Sequence, residues 1–318
     1  GIKKLGQDAA YPLVSYTVLE NFISYAQTDV QRNEIKRALA QIGDLEQMAD
    51  HLARDLTEAQ AGRRAFAPVP RWTGERRPVI QGSAFMADSR FPGKETVQRP
   101  VFFTGYGHFA QVVADMEKWP AYGANIVQLE FGPHSVFTKE GATNSAPMQA
   151  MLQTLDRAQK QGVAVCLLIS PHYFPGWALD KWPHLRHRRE GFLGYCLHAP
   201  EGRELLRNFV AVALAPLKDH PALHSICLSN EPVNKEEPCE AGTKEWQAWL
   251  EQRHGNIAKL NTMCGSNFTS FARVQLPNPF GPRPAPPLWM DYIRFHQEFC
   301  PGWHKLLAEA DYEVAPGL

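Results

Sequence analysis

Residues 163–171 are VAVCLLISP, a continuous apolar run that ends at Ser170-Pro171. A strand that is apolar along its whole length, and not only at every second position, is typical of a parallel sheet covered on both faces. Strands of this kind occur mostly in proteins that alternate strands with helices. The run therefore predicts a central strand of an α/β protein.

Strand and helix patterns alternate four times from residue 101 onward. No G-x-G-x-x-G follows the first strand, since Gly105-Tyr106-Gly107-His108 lacks the third glycine, which disfavours a dinucleotide-binding fold. The other predicted strands are Val101–Thr104, Asn125–Phe131 and His224–Ser229. Amphipathic helices are predicted at Phe109–Trp119, Pro147–Gln161 and Glu201–Asp219.

The predicted fold class is α/β, of the (β/α)8 TIM-barrel type. Four strands are half of those that close such a barrel, so residues 100–318 are interpreted as its N-terminal half. A second polypeptide or a continuation beyond residue 318 is expected to supply the remainder. Residues 1–62 are predicted as a helical segment, with one helix from about 28 to 60, and residues 63–99 as a linker with a lead-in strand.

Composition excludes several function classes. The 318 residues carry 33 acidic and 33 basic side chains, which gives no electrostatic argument for nucleic acid or an anionic membrane. No apolar run is long enough to span a bilayer. The six cysteines form no C-x-x-C pair, and neither a disulfide scaffold, a metal nor an organic cofactor is expected. Scattered cysteines and the absence of a signal peptide favour the cytoplasm, and a homo-oligomer is left open.

The tripeptide Asn230-Glu231-Pro232 follows directly on the fourth predicted strand. Barrel enzymes keep their chemistry at the C-terminal ends of the strands. A carboxylate there, with an amide just before it, indicates a sugar-cleaving acid/base. The alternatives are that Glu231 caps the next helix and that Asn230 forms a turn.

The order of segments after residue 101 resembles the clan-A glycoside hydrolases, and most of all the family-42 β-galactosidase group. The similarity covers about 200 residues. It is carried by Leu129-Glu130-Phe131, by the third-strand loop from Ile169 to Trp177, by Tyr195-Cys196 before the third helix, by Asn230-Glu231, and by the segments Trp249–Asn261 and Leu288–Asp291.

The resemblance implies a retaining glycoside hydrolase acting on a β-linked sugar, with Glu231 as acid/base and Asn230 on the sugar's 2-hydroxyl. The nucleophile is expected outside this chain, because the family carries it on the seventh strand. Further candidates for binding carbohydrate are His108, His134, His172, Tyr173, Trp177 and Glu130.

Two other functions are kept as hypotheses. The chain is a non-catalytic carbohydrate-binding protein, or it is a metal-dependent hydrolase whose metal is held by the histidines after the first three strands. His172-Tyr173 also replaces small residues of the galactosidases, so the exact sugar is left open.

Overall fold

The computed structural model describes residues 10–65, 70–91, 93–107, 109–186, 191–232 and 235–316. The chain divides into two compact units. One consists of residues 1–128 and 155–165, and the other of residues 129–154 and 166–318. Within the described ranges, no helix combines the length and the apolarity that crossing a membrane requires.

The first unit begins with a helical hairpin. Helices α1 (Ala10–Gln31) and α2 (Ile35–Gln60) pack against each other. Asn33 has a positive φ of 61°, a conformation that asparagine tolerates and that ends a helix. The prediction of one helix from about residue 28 is therefore wrong, because the chain turns at Asn33.

The apolar stripe predicted on α2 is only partly buried. Leu45 and Leu52 are in the core, whereas Ile35, Leu39 and Ile42 are exposed. Buried positions seven residues apart form a narrower seam than the sequence pattern indicates, as in two helices that cross at a small angle.

An antiparallel sheet follows the hairpin. Its central strand β3 (Ala84–Arg90) pairs with β1 (Arg71–Trp72), β2 (Val79–Gln81) and β4 (Thr96–Val101). This stretch was expected to be a linker with one lead-in strand. The missed signal is the two-residue connection between Gln81 and Ala84, where Gly82 has the positive φ that tight hairpins require.

The parallel sheet begins at β5 (Gly105–Tyr106), four residues later than predicted. Val101 belongs to β4, and Phe102 is 86% exposed, so the apolar run 101–104 is not a buried strand. Gly105 pairs with Ile126, and a Cβ atom at Gly105 would overlap the carbonyl oxygen of Ile126. Only glycine allows so close an approach of the two strands, so the parallel pairing begins at Gly105 and not at the apolar residues before it.

The strand order of the parallel sheet is β5–β6–β7–β8. Backbone hydrogen bonds from Ala164 to Asn125 and from Ser170 to Phe131 show that β6 and β7 run the same way. The α/β fold of the barrel type is confirmed. The elements are α3 (Ala110–Ala114), a 3₁₀ segment (Met116–Tyr122), β6 (Ile126–Phe131), α4 (Pro133–Val136), α5 (Ala146–Gln161), β7 (Ala164–Ile169), α6 (Gly176–Lys181), α7 (Pro200–Leu214) and β8 (Leu223–Cys227).

Three more helices complete the second unit, namely α8 (Glu240–His254), α9 (Ile257–Cys264) and α10 (Pro286–Val314). They enclose a core in which Trp246 packs edge-on against Phe295. Buried Asp291 on α10 accepts hydrogen bonds from Arg253 and pairs with His254, both at the end of α8. The helices after β8 are therefore fixed to one another by both apolar and charged contacts.

Candidate active site

Glu231 lies four residues beyond the end of β8, and its side chain is exposed. Its backbone φ is +41°, which is uncommon for a residue with a Cβ atom. Such a conformation costs about 1–3 kcal/mol and persists only where the surrounding structure enforces it. Asn230, just before it, is half-buried. The carboxylate is thus presented to solvent from a constrained position at the carboxyl end of a strand.

Ser229 fixes the chain immediately before Asn230. Its hydroxyl oxygen lies 2.8 Å from Nε2 of His304 on α10. The other ring nitrogen of His304 lies 2.8 Å from the carbonyl oxygen of Cys300 and must donate to it. In the neutral ring, Nε2 is then the acceptor and the Ser229 hydroxyl donates. The sequence alone does not indicate this contact, because 75 residues separate the two partners.

Glu130 is the second carboxylate at this edge of the sheet. It lies in β6, next to the last residue, and its side chain is mostly buried. The hydroxyl of Ser170, at the end of β7, donates a hydrogen bond to it. Nε2 of His172 lies 3.5 Å from the same oxygen. The side chain is thus held by groups from the neighbouring strand.

Aromatic rings gather beside Glu130. The His172 and Tyr173 ring centroids are 4.1 Å apart, and those of His134 and Tyr173 are 5.1 Å apart. The backbone N–H of His134 donates to the carbonyl oxygen of Tyr173, which fixes the loop after β6 to the loop after β7. Tyr173 remains 43% exposed. Four of the predicted sugar-binding residues therefore lie together, and they present one open aromatic face.

Another predicted binding residue, Trp177, is not part of this group. Trp177 donates its indole N–H to the carbonyl oxygen of Phe137 and lines a cleft of about 460 Å³ along α7. Trp182, Glu201 and Asn208 line the same cleft. His108 lies outside the described residues.

A buried charged cluster ties the loop before α7 to the segment after Glu231. The ring of His198 is fully buried, with Nε2 2.9 Å from Glu236 and Nδ1 2.6 Å from Glu245. Arg203 also contacts Glu245, at 2.8 Å. Burial by itself lowers the pKa of His198, but the hydrogen bonds to Glu236 and Glu245 and their charges outweigh burial and raise the pKa to about 9. His198 is therefore a cation at neutral pH.

The described part of the chain contains no group of three or more histidine, cysteine, aspartate or glutamate side chains arranged to hold a metal ion. His134 and His172 both contact the ring of Tyr173. The geometry at this edge of the sheet is that of two carboxylates, a serine–histidine anchor and an aromatic surface.

The family model for glycoside hydrolase family 42, described as β-galactosidase, matches residues 111–311. The chain belongs to this family. The matched range includes β6, β7 and β8 with Glu130, Asn230 and Glu231. The resemblance expected from the order of the motifs is confirmed.

Curated relatives of this family-42 chain include the β-galactosidase of Thermus thermophilus, 28% identical over 159 residues. That alignment covers 45% of this chain and 25% of the relative. The β-galactosidase BgaP of Planococcus sp. (strain L4) is 26% identical over 122 residues, which cover 36% of this chain and 18% of the relative. The aligned parts therefore span a quarter or less of these relatives.

Solved structures show the same fold. An apo exo-carrageenase of family 42 from Bacteroides ovatus has a TM-score of 0.67 at 17% identity, and the match covers 99% of this chain and 45% of that one. A β-galactosidase from Marinomonas ef1 has a TM-score of 0.58 at 22% identity, and the match covers 67% of this chain and 35% of that one. The first match includes the N-terminal segment that the family model leaves out.

Proposed function

We propose that this chain carries the acid/base end of the active site of a retaining β-glycoside hydrolase. The observation that carries the proposal is the position of Glu231, an exposed carboxylate held at positive φ after the fourth parallel strand of a family-42 chain. Backbone strain of this kind clusters at functional sites.

In the proposed reaction Glu231 first protonates the oxygen of the departing group. A second carboxylate attacks the anomeric carbon and forms a covalent glycosyl intermediate. Glu231 then takes a proton from water, which attacks the intermediate and regenerates both carboxyl groups. Asn230 donates its side-chain amide to the sugar's 2-hydroxyl, a bond that strengthens as positive charge develops on the ring.

The aromatic group beside Glu130 is the proposed binding surface for the sugar. The open face of Tyr173 is suited to stacking on the apolar face of a pyranose ring. Glu130, fixed by Ser170, supplies a rigid acceptor for sugar hydroxyls, and His134 and His172 supply further polar contacts. Because Glu130 is already hydrogen-bonded and mostly buried, we assign it to binding and not to nucleophilic attack.

The nucleophile is assigned to a later barrel strand supplied by further polypeptide. Four parallel strands are present in the described residues, and a closed barrel of this type has eight. The carboxyl groups of a retaining pair stand about 5–5.5 Å apart, so the missing residue must approach Glu231 this closely.

The substrate is proposed to be a β-linked galactose-type sugar. The curated relatives are named β-galactosidases, and a solved relative that aligns with nearly the whole chain is named an exo-carrageenase. A panel of aryl β-glycosides together with carrageenan oligosaccharides separates these substrates. Hydrolysis of none of them, with measurable binding of one, would favour the carbohydrate-binding alternative.

Glu231→Ala in the full-length enzyme tests the acid/base role. An aryl glycoside with a strongly acidic leaving group needs little protonation, so its cleavage should persist while a poorly activated glycoside is no longer cleaved. Azide needs no general base, so it should restore turnover and give the β-glycosyl azide. Exposed Glu251 on α8 is the matched control, and Glu251→Ala should retain the wild-type rate.

Two outcomes would overturn the assignment. In one, Glu231→Ala retains full activity on poorly activated substrates. In the other, activity falls equally for every leaving group and azide restores nothing, which is the behaviour of a structural residue.

A further inference from the structure

Cys196 and Cys239 form a thiol pair inside the second unit. Cys196 lies between β7 and α7, and Cys239 is the N-cap residue of α8. Their sulfur atoms are 3.0 Å apart, and the residues are 1% and 9% exposed. Both are free thiols in the structure. Two sulfurs at this separation need only a small side-chain adjustment to bond.

The surroundings of Cys239 favour its thiolate. Its sulfur accepts a hydrogen bond from the Cys196 thiol and a second, at 3.1 Å, from the backbone N–H of Gly242 at the start of α8. The positively charged end of a helix lowers the pKa of a thiol placed there. The hydrogen bond from Cys196, the Gly242 N–H and the charge of His198 together lower the pKa of Cys239 to about 7.

The environment of Cys196 is the opposite. Its hydrogen bond to Cys239 and its burial raise the pKa of its thiol. Gly242 allows this arrangement, because a Cβ atom there would lie 2.9 Å from the ring of His198 and 3.1 Å from the sulfur of Cys239. The site therefore holds one nucleophilic sulfur, one protonated resolving thiol and a backbone donor in contact.

We propose that Cys196 and Cys239 are a redox modification site that closes reversibly to an intrachain disulfide when the protein meets a peroxide. The partly accessible Cys239 reacts first and the buried Cys196 resolves it. Hydrogen peroxide is small enough to reach a sulfur at the edge of the protein interior, whereas a bulky disulfide is not.

The oxidation takes place in two displacement steps. The Cys239 thiolate attacks one oxygen of hydrogen peroxide, the O–O bond breaks, and hydroxide leaves and is protonated to water. The product is the Cys239 sulfenic acid. The sulfur of Cys196 then attacks the sulfur of Cys239, the S–O bond breaks, and hydroxide leaves with the Cys196 proton as a second water. The two thiols lose two electrons and the peroxide gains them.

The disulfide would join the two segments that the His198 cluster already holds together. Cys196 lies two residues before His198, and Cys239 lies three residues after Glu236. Closing it would fix the segment that runs from Glu231 into α8 to the loop before α7. The inference makes no use of the proposed hydrolase activity and stands or falls separately from it.

The test is limited oxidation of the reduced protein with hydrogen peroxide, followed by non-reducing peptide mapping. We expect a cross-linked peptide pair containing Cys196 and Cys239, an intact mass lower by two hydrogens, and two fewer thiols titrated in denaturant. Dithiothreitol should restore all of them. The oxidised wild type should also melt several degrees higher, because the bond closes a loop of more than 40 residues.

Variants separate the roles of the two sulfurs. Cys196→Ser should stop at the Cys239 sulfenic acid, which a dimedone probe captures, and should show no rise in melting temperature. Cys264→Ser, a half-buried cysteine on α9, is the control and should still form the bond.

The proposal fails if the mapped bridge joins other cysteines, such as Cys166 and Cys227 on neighbouring strands. It also fails if Cys239 in the wild type is oxidised to the sulfinic acid without cross-linking. Both results are read from the wild-type protein, so they do not depend on whether a variant folds.

Discussion

Nε2 of His198 lies 2.9 Å from Oε1 of Glu236, and both side chains are almost completely buried. Glu236 is five residues from Glu231 along the chain. The pair therefore anchors the segment that carries the proposed acid/base to the loop before α7. Removing one member of a buried ion pair leaves the other charge without compensation, which typically costs about 3–5 kcal/mol.

The His198–Glu236 pair predicts a loss of stability at alkaline pH. The folded pKa of His198 is about 9, above the value of about 6.5 in an unfolded chain. The free energy it contributes is fully present below about pH 6.5 and is lost as pH rises through about 9. In Cys239→Ser, the free energy of unfolding measured with urea should fall by about 3 kcal/mol between these limits. The wild type should lose less, because the lowered pKa of Cys239 stabilises the folded protein as pH rises over the same range.

Glu236→Gln should lower stability at neutral pH and flatten this pH dependence, because the carboxylate that stabilises the charged ring of His198 is removed. Glu251→Gln on the exposed face of α8 is the control and should behave as the wild type. An unchanged pH profile in Glu236→Gln would contradict the assignment of a charged His198.

Glu231→Gly should separate stability from activity. Glycine adopts positive φ without strain, so it removes a cost of about 1–3 kcal/mol and adds about 0.5–1 kcal/mol of chain entropy. We expect the free energy of unfolding to stay level or rise, while hydrolysis of a poorly activated glycoside is lost. Glu251→Gly, in the last turn of α8, should instead lower the free energy of unfolding, by up to about 1 kcal/mol. Equal losses in the two variants, measured by thermal unfolding, would refute strain at Glu231.

The partly buried carboxyl of Asp311 on α10 should make the free energy of unfolding depend on pH between about 4 and 6. Burial raises its pKa to about 6. Because the folded pKa is raised, the protonated carboxyl contributes fully to the free energy of unfolding below the unfolded pKa of about 3.9. This contribution is lost as pH rises through about 6. Asp311→Asn should therefore be more stable than the wild type at pH 7 and equal to it at low pH. Exposed Asp219→Asn should show no such gain in melting temperature.

Tyr173 tests the binding surface. Tyr173→Ala should raise KM for the glycoside about 3- to 10-fold, because the stacking face is lost, with a smaller effect on kcat. Tyr173→Phe retains the ring and should bind as the wild type. Tyr173→Phe keeps the ring contacts with His134 and His172, so it should not alter the melting temperature. A fall in kcat with constant KM in Tyr173→Ala would argue against stacking.

The parallel part of the fold could be predicted because a strand buried on both faces appears in the sequence as a continuous apolar run. The strands β6 and β7 and the helices α5 and α7 lie within two residues of their predicted starts. The first parallel strand was misplaced because the pairing at Gly105 depends on an absent side chain, and no apolar pattern reports that. The antiparallel sheet was missed because β1 and β2 are only two and three residues long and the hairpin signal between β2 and β3 is two residues long.

The candidate site was predictable to a similar degree. Glu130, next to the last residue of β6, and Glu231, four residues beyond β8, could be placed near the carboxyl ends of their strands from the pattern of strands alone. The partners that hold them could not, since Ser229 meets His304 from 75 residues away and His198 meets Glu245 from 47. Contacts of this kind depend on the tertiary arrangement, which one sequence without aligned relatives does not record.

The pairing of Gly105 with Ile126 also limits how this chain can vary. Every other amino acid would add an atom where a carbonyl oxygen already lies, and the sheet begins at that pair. In a library of random variants, position 105 should therefore accept glycine alone, while exposed Phe102, three residues earlier, should accept almost any residue. Two codons only three positions apart would then differ sharply in the substitutions that they tolerate.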